Sequence, residues 1–333
     1  MRDLINAGTA PYANAGTHFR LTANINLQSY SAGEGWERIG FNGREFKGVF
    51  DGNGNTIQNL TMNRTSGAET GFFGVILGGT VRNLNLTGVS ITANGHFTGG
   101  IAGNNNGGTI INCSVQGAIT NNIARTNTGG VAGRNTSTAT IANCFVNVNI
   151  TGDTNVGGIA GQNDGVIRNC YTVGSLINSS GNNVGGIAGD NFGSVTNCYS
   201  TIHTILGTAH VGGIVGRNDA AASITGCVAL NNSVSRVSGS ALAFGCIAGN
   251  SAGTFTGNVA LENMSFPSGS VGNHGGIVTT AQAKTQATYS GSPRSWGFGT
   301  TDTNPWRWGL NAAYPLPTLH WQTTAPTLPT HLQ

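Results

Sequence analysis

One phrase, Gly-Gly-Ile-Ala-Gly, recurs at 99–103, 129–133 (with Val131), 157–161, 185–189 and 212–216 (with Val215), at steps of 27 to 30 residues. Degenerate copies flank it at 71–74, 245–249 and 275–278. A period of this size commits the chain to a repeat architecture, in which each unit is one supersecondary element stacked on its neighbours. The rest of each unit shows no helical spacing. It reads as short β-branched runs broken by Gly and Asn, as in Val166-Ile167-Arg168-Asn169-Cys170-Tyr171 followed by Thr172-Val173-Gly174. Three short strands per unit is the expectation, which makes each unit one coil of a right-handed parallel β-helix. A unit this short cannot bury its apolar face alone, so the coils stack at about 4.8 Å, the spacing of hydrogen-bonded strands. The chain has room for about eight.

Two positions predict that the coils stand in register. Six residues after the first Gly of each phrase stand Asn105, Asn135, Asn163, Asn191 and Asn218. Stacked amides pass hydrogen bonds from coil to coil, and Asn tolerates the left-handed backbone of a sharp corner. Thirteen to fifteen residues after that Gly stand Cys113, Cys144, Cys170, Cys198 and Cys227, with Leu84 and Val259 assigned to the same place in the outer coils. Apolar replacement makes this an interior column. In-register strands hold neighbouring Cβ atoms farther apart than a disulfide prefers, which predicts reduced thiols. A single wall of thiols offers no tetrahedral cage, so no metal and no cofactor is expected. Cys246 falls at a Gly position, off the column.

Composition narrows the function. Only 8% of residues are charged, the formal net charge is +3, and Lys and Arg nowhere cluster. Affinity for a phosphate backbone needs clustered cations, so nucleic acid is not an expected partner. No run approaches the roughly 18 apolar residues of a membrane span, so no direct membrane insertion is expected. The opening Met1-Arg2-Asp3-Leu4-Ile5 lacks the apolar core of a secretory signal, and the expectation is an extracellular or cell-surface domain whose signal lies elsewhere or has been removed.

An open stack exposes strand edges and core at both ends and has to be capped. The expected layout is an N-terminal cap and leading strand over 1–45, with a helix-compatible stretch from Arg2 to Ala7. Coils follow over 46–280 and an aromatic-rich C-terminal cap over 281–322. A Pro/Thr linker or disordered tail over 323–333 hints at further domains beyond it. Four of the five Trp (Trp296, Trp306, Trp308 and Trp321) crowd around Tyr314-Pro315-Leu316-Pro317-Thr318-Leu319. They read as a plug over the last coil, or alternatively as an aromatic platform for a ligand.

With the Gly-Ile-Ala-Gly core, the pairs Asn112-Cys113, Asn143-Cys144, Asn169-Cys170 and Asn197-Cys198, the turn Asp51-Gly52-Asn53-Gly54 and the closing Tyr314-Pro315-Leu316-Pro317-Thr318-Leu319-His320-Trp321-Gln322 on the page, the chain resembles the GLUG-repeat β-helix domains of bacterial surface proteins. These occur among adhesins and in the non-catalytic part of some immunoglobulin A peptidases. The likeness runs from Phe19 to Trp321, with Ile where the repeat's name has Leu, and Asn24 and Asn26 where relatives often carry Asp. It implies a fold more than a function.

Parallel β-helices include polysaccharide lyases and hydrolases, which need paired carboxylates or a base with a cation. Asp164, Asp190 and Asp219 are the candidates for such an edge, against the plainer reading of Asp as a turn residue exchanging with Asn. No His-Glu-x-x-His occurs. The favoured reading is a non-catalytic rigid scaffold or adhesion module. It would present loops and neutral polar faces to a host or cell-surface protein or a glycan, with Asn122, Arg125 and Arg236 in the longest corner excursions, 119–127 and 234–243. An ice-binding or self-assembling solenoid is a lower alternative, since Thr is abundant but out of register.

Overall fold

The computed structural model describes residues 1–124, 126–239 and 243–333, and these form a right-handed parallel β-helix of about eight turns. One coil runs Phe97–Gly99, Ala102–Asn106, Thr109–Ile111 and Ser114–Asn121. Each strand pairs in parallel with its counterpart one coil on, as in Thr98↔Thr128, Ala102↔Ala132, Ile110↔Ile141 and Val115↔Val146. Among the described residues this builds four sheets, here the first to the fourth in chain order around the coil. The coil therefore has four sides rather than three, and in several coils the fourth side is split into two strands, as in Tyr171–Val173 and Leu176–Ser179. The repeated phrase was read as one strand, but it bends at its second Gly and contributes one strand to each of two sheets.

That bend explains the glycines. A Cβ on Gly158 would lie 2.1 Å from the Gly186 carbonyl oxygen and 2.7 Å from Thr172 Cγ2, and one on Gly157 would lie 2.0 Å from Ala160 O. Backbone fills the space where a side chain would be. Just past the bend, Ile101, Val131, Ile159, Ile187, Ile214 and Ile247 point inward and are fully buried, each removing roughly 1.5–3 kcal/mol of apolar surface from water.

The Cys column lies where expected. Cys113, Cys144, Cys170, Cys198 and Cys227 are free thiols, fully buried. The Cys144 and Cys170 N–H groups each donate to the next coil's sulfur at 3.4 Å, and burial pushes the thiols of Cys144, Cys170 and Cys198 well above their ordinary range. Leu84 continues the column, one residue before the pair Asn85↔Ser114. Val259 does not. The register Val228↔Val259 puts Asn258 beneath Cys227, and its side chain accepts from Cys227 N at 2.9 Å and donates to Ile224 O at 2.9 Å. Both Asn258 and Val259 fall thirteen to fifteen residues after Gly245, and the apolar one is the one expected inside.

The Asn column is also in place, and it is interior. Asn105, Asn135, Asn163 and Asn191 each donate from Nδ2 to the side-chain oxygen of the next Asn at 2.7–2.8 Å, and Asn218 ends the run on Ser251 Oγ at 3.0 Å. All five are essentially inaccessible. Two further Asn columns sit at left-handed corners. Asn83, Asn112, Asn143, Asn169 and Asn197 have φ of 51–55°, and Gly226 and Gly257 take over in the last coils. Asn155 and Asn183, with His210, form the other.

The ends depart from expectation. Stacking begins at His18–Arg20, already paired with Val49–Asp51, so only the helix Arg2–Asn6 and the loops around it cap that end. Ile5 enters the core, and Asn6 fastens to Gly40 N and Arg38 O. At the far end the last coil is covered by the segment 262–278, where Asn273 bridges Ala248 and Gly276–Val278 pairs with Val259–Leu261. The Trp-rich segment is no plug over that coil. It runs back along the outside of the fourth sheet, because an aromatic column is waiting there. Phe145, Tyr171 and Tyr199 follow the inward Cys residues, so they face outward, stacked at 4.7 Å between ring centroids. Trp296, Trp306 and Tyr314 bury them in a second apolar cluster.

Replacing Gly158 with Ala forces a methyl into occupied backbone, and we expect a loss of about 3 kcal/mol or more in urea unfolding.

Candidate functional site

Asp164 and Asp190 come together on the outer face of the second sheet, each engaged by a guanidinium. Arg134 reaches Asp164 through Nε and Nη2 at 2.9 and 2.7 Å, and Gln162 Nε2 donates to its other oxygen at 2.7 Å. Arg217 forks onto both oxygens of Asp190 at 2.8 Å and lies over the Phe192 ring at 5.0 Å. Burial pushes the Asp190 carboxyl up while Arg217 pulls the other way. Asp219 belongs to a turn, its Oδ1 3.5 Å from Ala221 N. The register Arg134↔Gln162↔Asp190↔Arg217 makes this an ionic strip that ties coils together.

The other predicted residues do not converge. Asn122, just after the fourth-sheet strand Ser114–Asn121, and Arg236, the last residue of the strand Ser233–Arg236, lie at the same corner, but four coils apart, roughly 19 Å at strand spacing. The Arg236 guanidinium lies 5.2 Å from the Phe244 ring. Arg125, and part of the excursion 234–243, fall outside the described residues. Cys246, unexplained by sequence, occupies the second-Gly position of the last coil. No further coil crowds that corner, and the thiol sits 3.1 Å from His274 Nδ1, with burial raising it to about 11.

Sequence reasoning missed the groove beneath the C-terminal arm. The arm is anchored by Trp296 Nε1 to Gly226 O (2.8 Å), Tyr199 Oη to Pro317 O (2.6 Å), Tyr171 Oη to Gln322 Oε1 (2.9 Å) and Trp321 Nε1 to Asn143 O (3.0 Å). Below Phe145 the outward column turns from aromatic to polar, through Ser114, Asn85 and Thr56. The covering therefore lifts away, leaving a groove of about 450 Å³ between Trp321 and the sheet. Beside that column run Asn147, Gln116 and Thr87, and no lining residue is charged. The Cys-aromatic pairs in the sequence were the available signal, since a residue after an inward Cys must point outward.

The segment 323–333, expected as a linker or disordered tail, packs against the coils. Leu332 is buried, and His331 Nε2 donates to Leu230 O at 2.7 Å. That fixes the ring's proton on Nε2, so Nδ1 is an acceptor for His203 Nδ1 at 3.3 Å, and His203 Nε2 accepts from Asn232 at 3.4 Å.

No family model matches the chain. It is 46% identical over 110 residues to a protein of Evansella cellulosilytica named "putative Gly-rich membrane protein", covering 32% of this chain and 13% of that one. It is 33% identical over 131 residues to the halomucin of Haloquadratum walsbyi, covering 38% of this chain and 1% of that one. The chain thus spans a small fraction of the curated relatives it matches. In three dimensions it is similar to a crystal structure from Bacteroides ovatus titled a "putative immunoglobulin A1 protease", with a TM-score of 0.60, 22% identity, and 93% of this chain and 87% of that one covered. At that identity the likeness carries the fold. Among the described residues no helix is long and apolar enough to cross a membrane.

Burial, and then the neighbouring His203, hold His331 below the ordinary value near 6.5, against the pull of the Leu230 carbonyl. The attached tail therefore binds fewer protons than the detached one. Attachment is full above about pH 6.5 and weakens as pH falls below it. Hydrogen exchange over 323–333 should accelerate between about pH 7.5 and pH 5 beyond the intrinsic trend, and His331→Gln should abolish the excess.

Proposed function

We propose that this chain is a non-catalytic, rigid module of a larger bacterial cell-surface or secreted protein, of the GLUG-repeat kind, presenting its outer faces to a host or cell-surface protein or a glycan. The observation that carries the reading is the fate of the candidate carboxylates. Asp164 and Asp190 are each occupied by an Arg at 2.7–2.9 Å, and Asp219 is held in a turn. A hydrolase needs one carboxyl free to give a proton and another free to accept one or attack, and a lyase needs an unencumbered base. The matches to short parts of longer proteins, one named a Gly-rich membrane protein and the other a halomucin, support a module among further domains. So does a stack whose strand-ladder hydrogen bonds run from coil to coil, which gives a stiff rod suited to spacing and display.

Incubated with uronate-containing and neutral polysaccharides and with immunoglobulin A, the purified chain should release no unsaturated sugar, no reducing ends and no peptide. Antibody raised against it should label intact cells that make the parent protein. Turnover that vanishes in Asp164→Asn or Asp190→Asn would overturn the reading in favour of a polysaccharide-active enzyme.

A further inference from the structure

We propose that the groove between Trp321 and the fourth sheet binds a short stretch of a neutral oligosaccharide. The inference rests on the surface-module reading above and deepens it by naming a site and a ligand class.

Three observations point there. The first is the supply of unsatisfied hydrogen-bonding groups. Ser114 and Asn85 already bond each other, and Asn85 also reaches Gly54 O. Among the described residues, however, the side chains of Thr87, Gln116 and Asn147 hold no hydrogen bond within the protein. They stand in three adjacent coils: Gln116 is paired directly with Asn147, and Thr87 follows Leu86, the partner of Val115, at a bulge that leaves Thr87 and Gly88 opposite Gln116. The spacing from coil to coil is about 4.8 Å, close to the length of one sugar ring, so successive hydroxyl-bearing units of an extended chain would meet successive amides and a hydroxyl. Amides offer both donors and acceptors, which is what a hydroxyl needs.

The second is the wall. Trp321 is pinned by its Nε1–H on Asn143 O, so its ring is held in one orientation without a ligand. It is half-buried, with one part facing the groove. An ordered indole gives an apolar plane on which the C–H face of a sugar rests, at little cost in side-chain freedom.

The third is charge. The lining contains no Asp, Glu, Lys, Arg or His, so nothing in it compensates a carboxylate, sulfate or phosphate. At about 450 Å³ the groove is in the range of small-molecule sites, yet it departs from their usual apolar lining. This combination suits a neutral polyhydroxylated ligand better than a lipid or a drug-like apolar one. A second recess, at the N-terminal end around Trp36, Phe50 and Phe72, is mainly apolar and lacks such a line of free amides.

The test uses the whole chain on an array of immobilised neutral, sialylated and sulfated oligosaccharides, followed by calorimetric titration with the best neutral binder. We expect neutral oligosaccharides to bind. Gln116→Ala combined with Asn147→Ala should weaken binding at least tenfold, as should Trp321→Ala, while Asp190→Asn should leave it unchanged. Trp321→Ala also loosens the arm, but Gln116 and Asn147 anchor nothing, so the double variant reports on the groove alone. Binding that survives the double variant, binding confined to sialylated or sulfated sugars, or no binding at all would each overturn the proposal. None of these results would by itself remove the surface-module reading, which falls only on catalysis or on absence from the cell surface.

Discussion

Every feature of this molecule depends on the vertical alignment of coils at the spacing of a backbone hydrogen bond. Once Ala102 lies over Ala132 and Ile110 over Ile141, each position of the repeat becomes a column, and each column needs one solution repeated through the stack. Inward apolar columns take Ile, Val and Cys. Where the interior approaches a corner, Asn105 to Asn218 form a chain of amides in which each Nδ2 finds an oxygen one coil away. A single Asn there would be a buried polar group with an unmet demand, whereas a continuous column satisfies its members at every step but the ends.

The same alignment dictates the outer surface. An aromatic residue in one coil is harmless, but in three successive coils it becomes the stacked strip of Phe145, Tyr171 and Tyr199, too apolar to leave in water. The C-terminal arm is the answer, and its extent follows that of the strip. Where Phe145 gives way to Ser114 and Asn85 the arm loses its grip and a polar groove opens. On the second sheet the corresponding strip is ionic. There, Arg134 pairs with Asp164 and Arg217 with Asp190, each across neighbouring coils, so the carboxylates fasten coil to coil.

The periodic part of this architecture was legible in the sequence because a column is a repeated letter. Asn163 and Cys170 could be placed from spacing alone. Aperiodic features were not. The strand count was missed because Gly157-Gly158 bends the chain through a close approach that depends on the neighbouring coil's carbonyl, which no local pattern reveals. Val259 was placed one residue out because an interior column favours an apolar residue, whereas the structure puts Asn258 there with its amide bonded to Cys227 N and Ile224 O. The arm's location was hidden for a different reason. Trp296 and Trp306 announce burial without saying where, and the answer lay about a hundred residues earlier in the parity of Tyr171 and Tyr199 relative to their cysteines. The groove depends on that docking, so it could not be seen before the arm was placed.

Register is most directly measured as coupling along the interior amide column. A double-mutant cycle with Asn163→Ala and Asn191→Ala, read by urea unfolding, should give a coupling of about 1 kcal/mol or more, since the two side chains are hydrogen-bonded at 2.7 Å. Asn105→Ala with Asn218→Ala, from coils that do not touch, should be additive within about 0.5 kcal/mol. Additivity for the neighbouring pair, or equal coupling for both pairs, would contradict the stacked, in-register account.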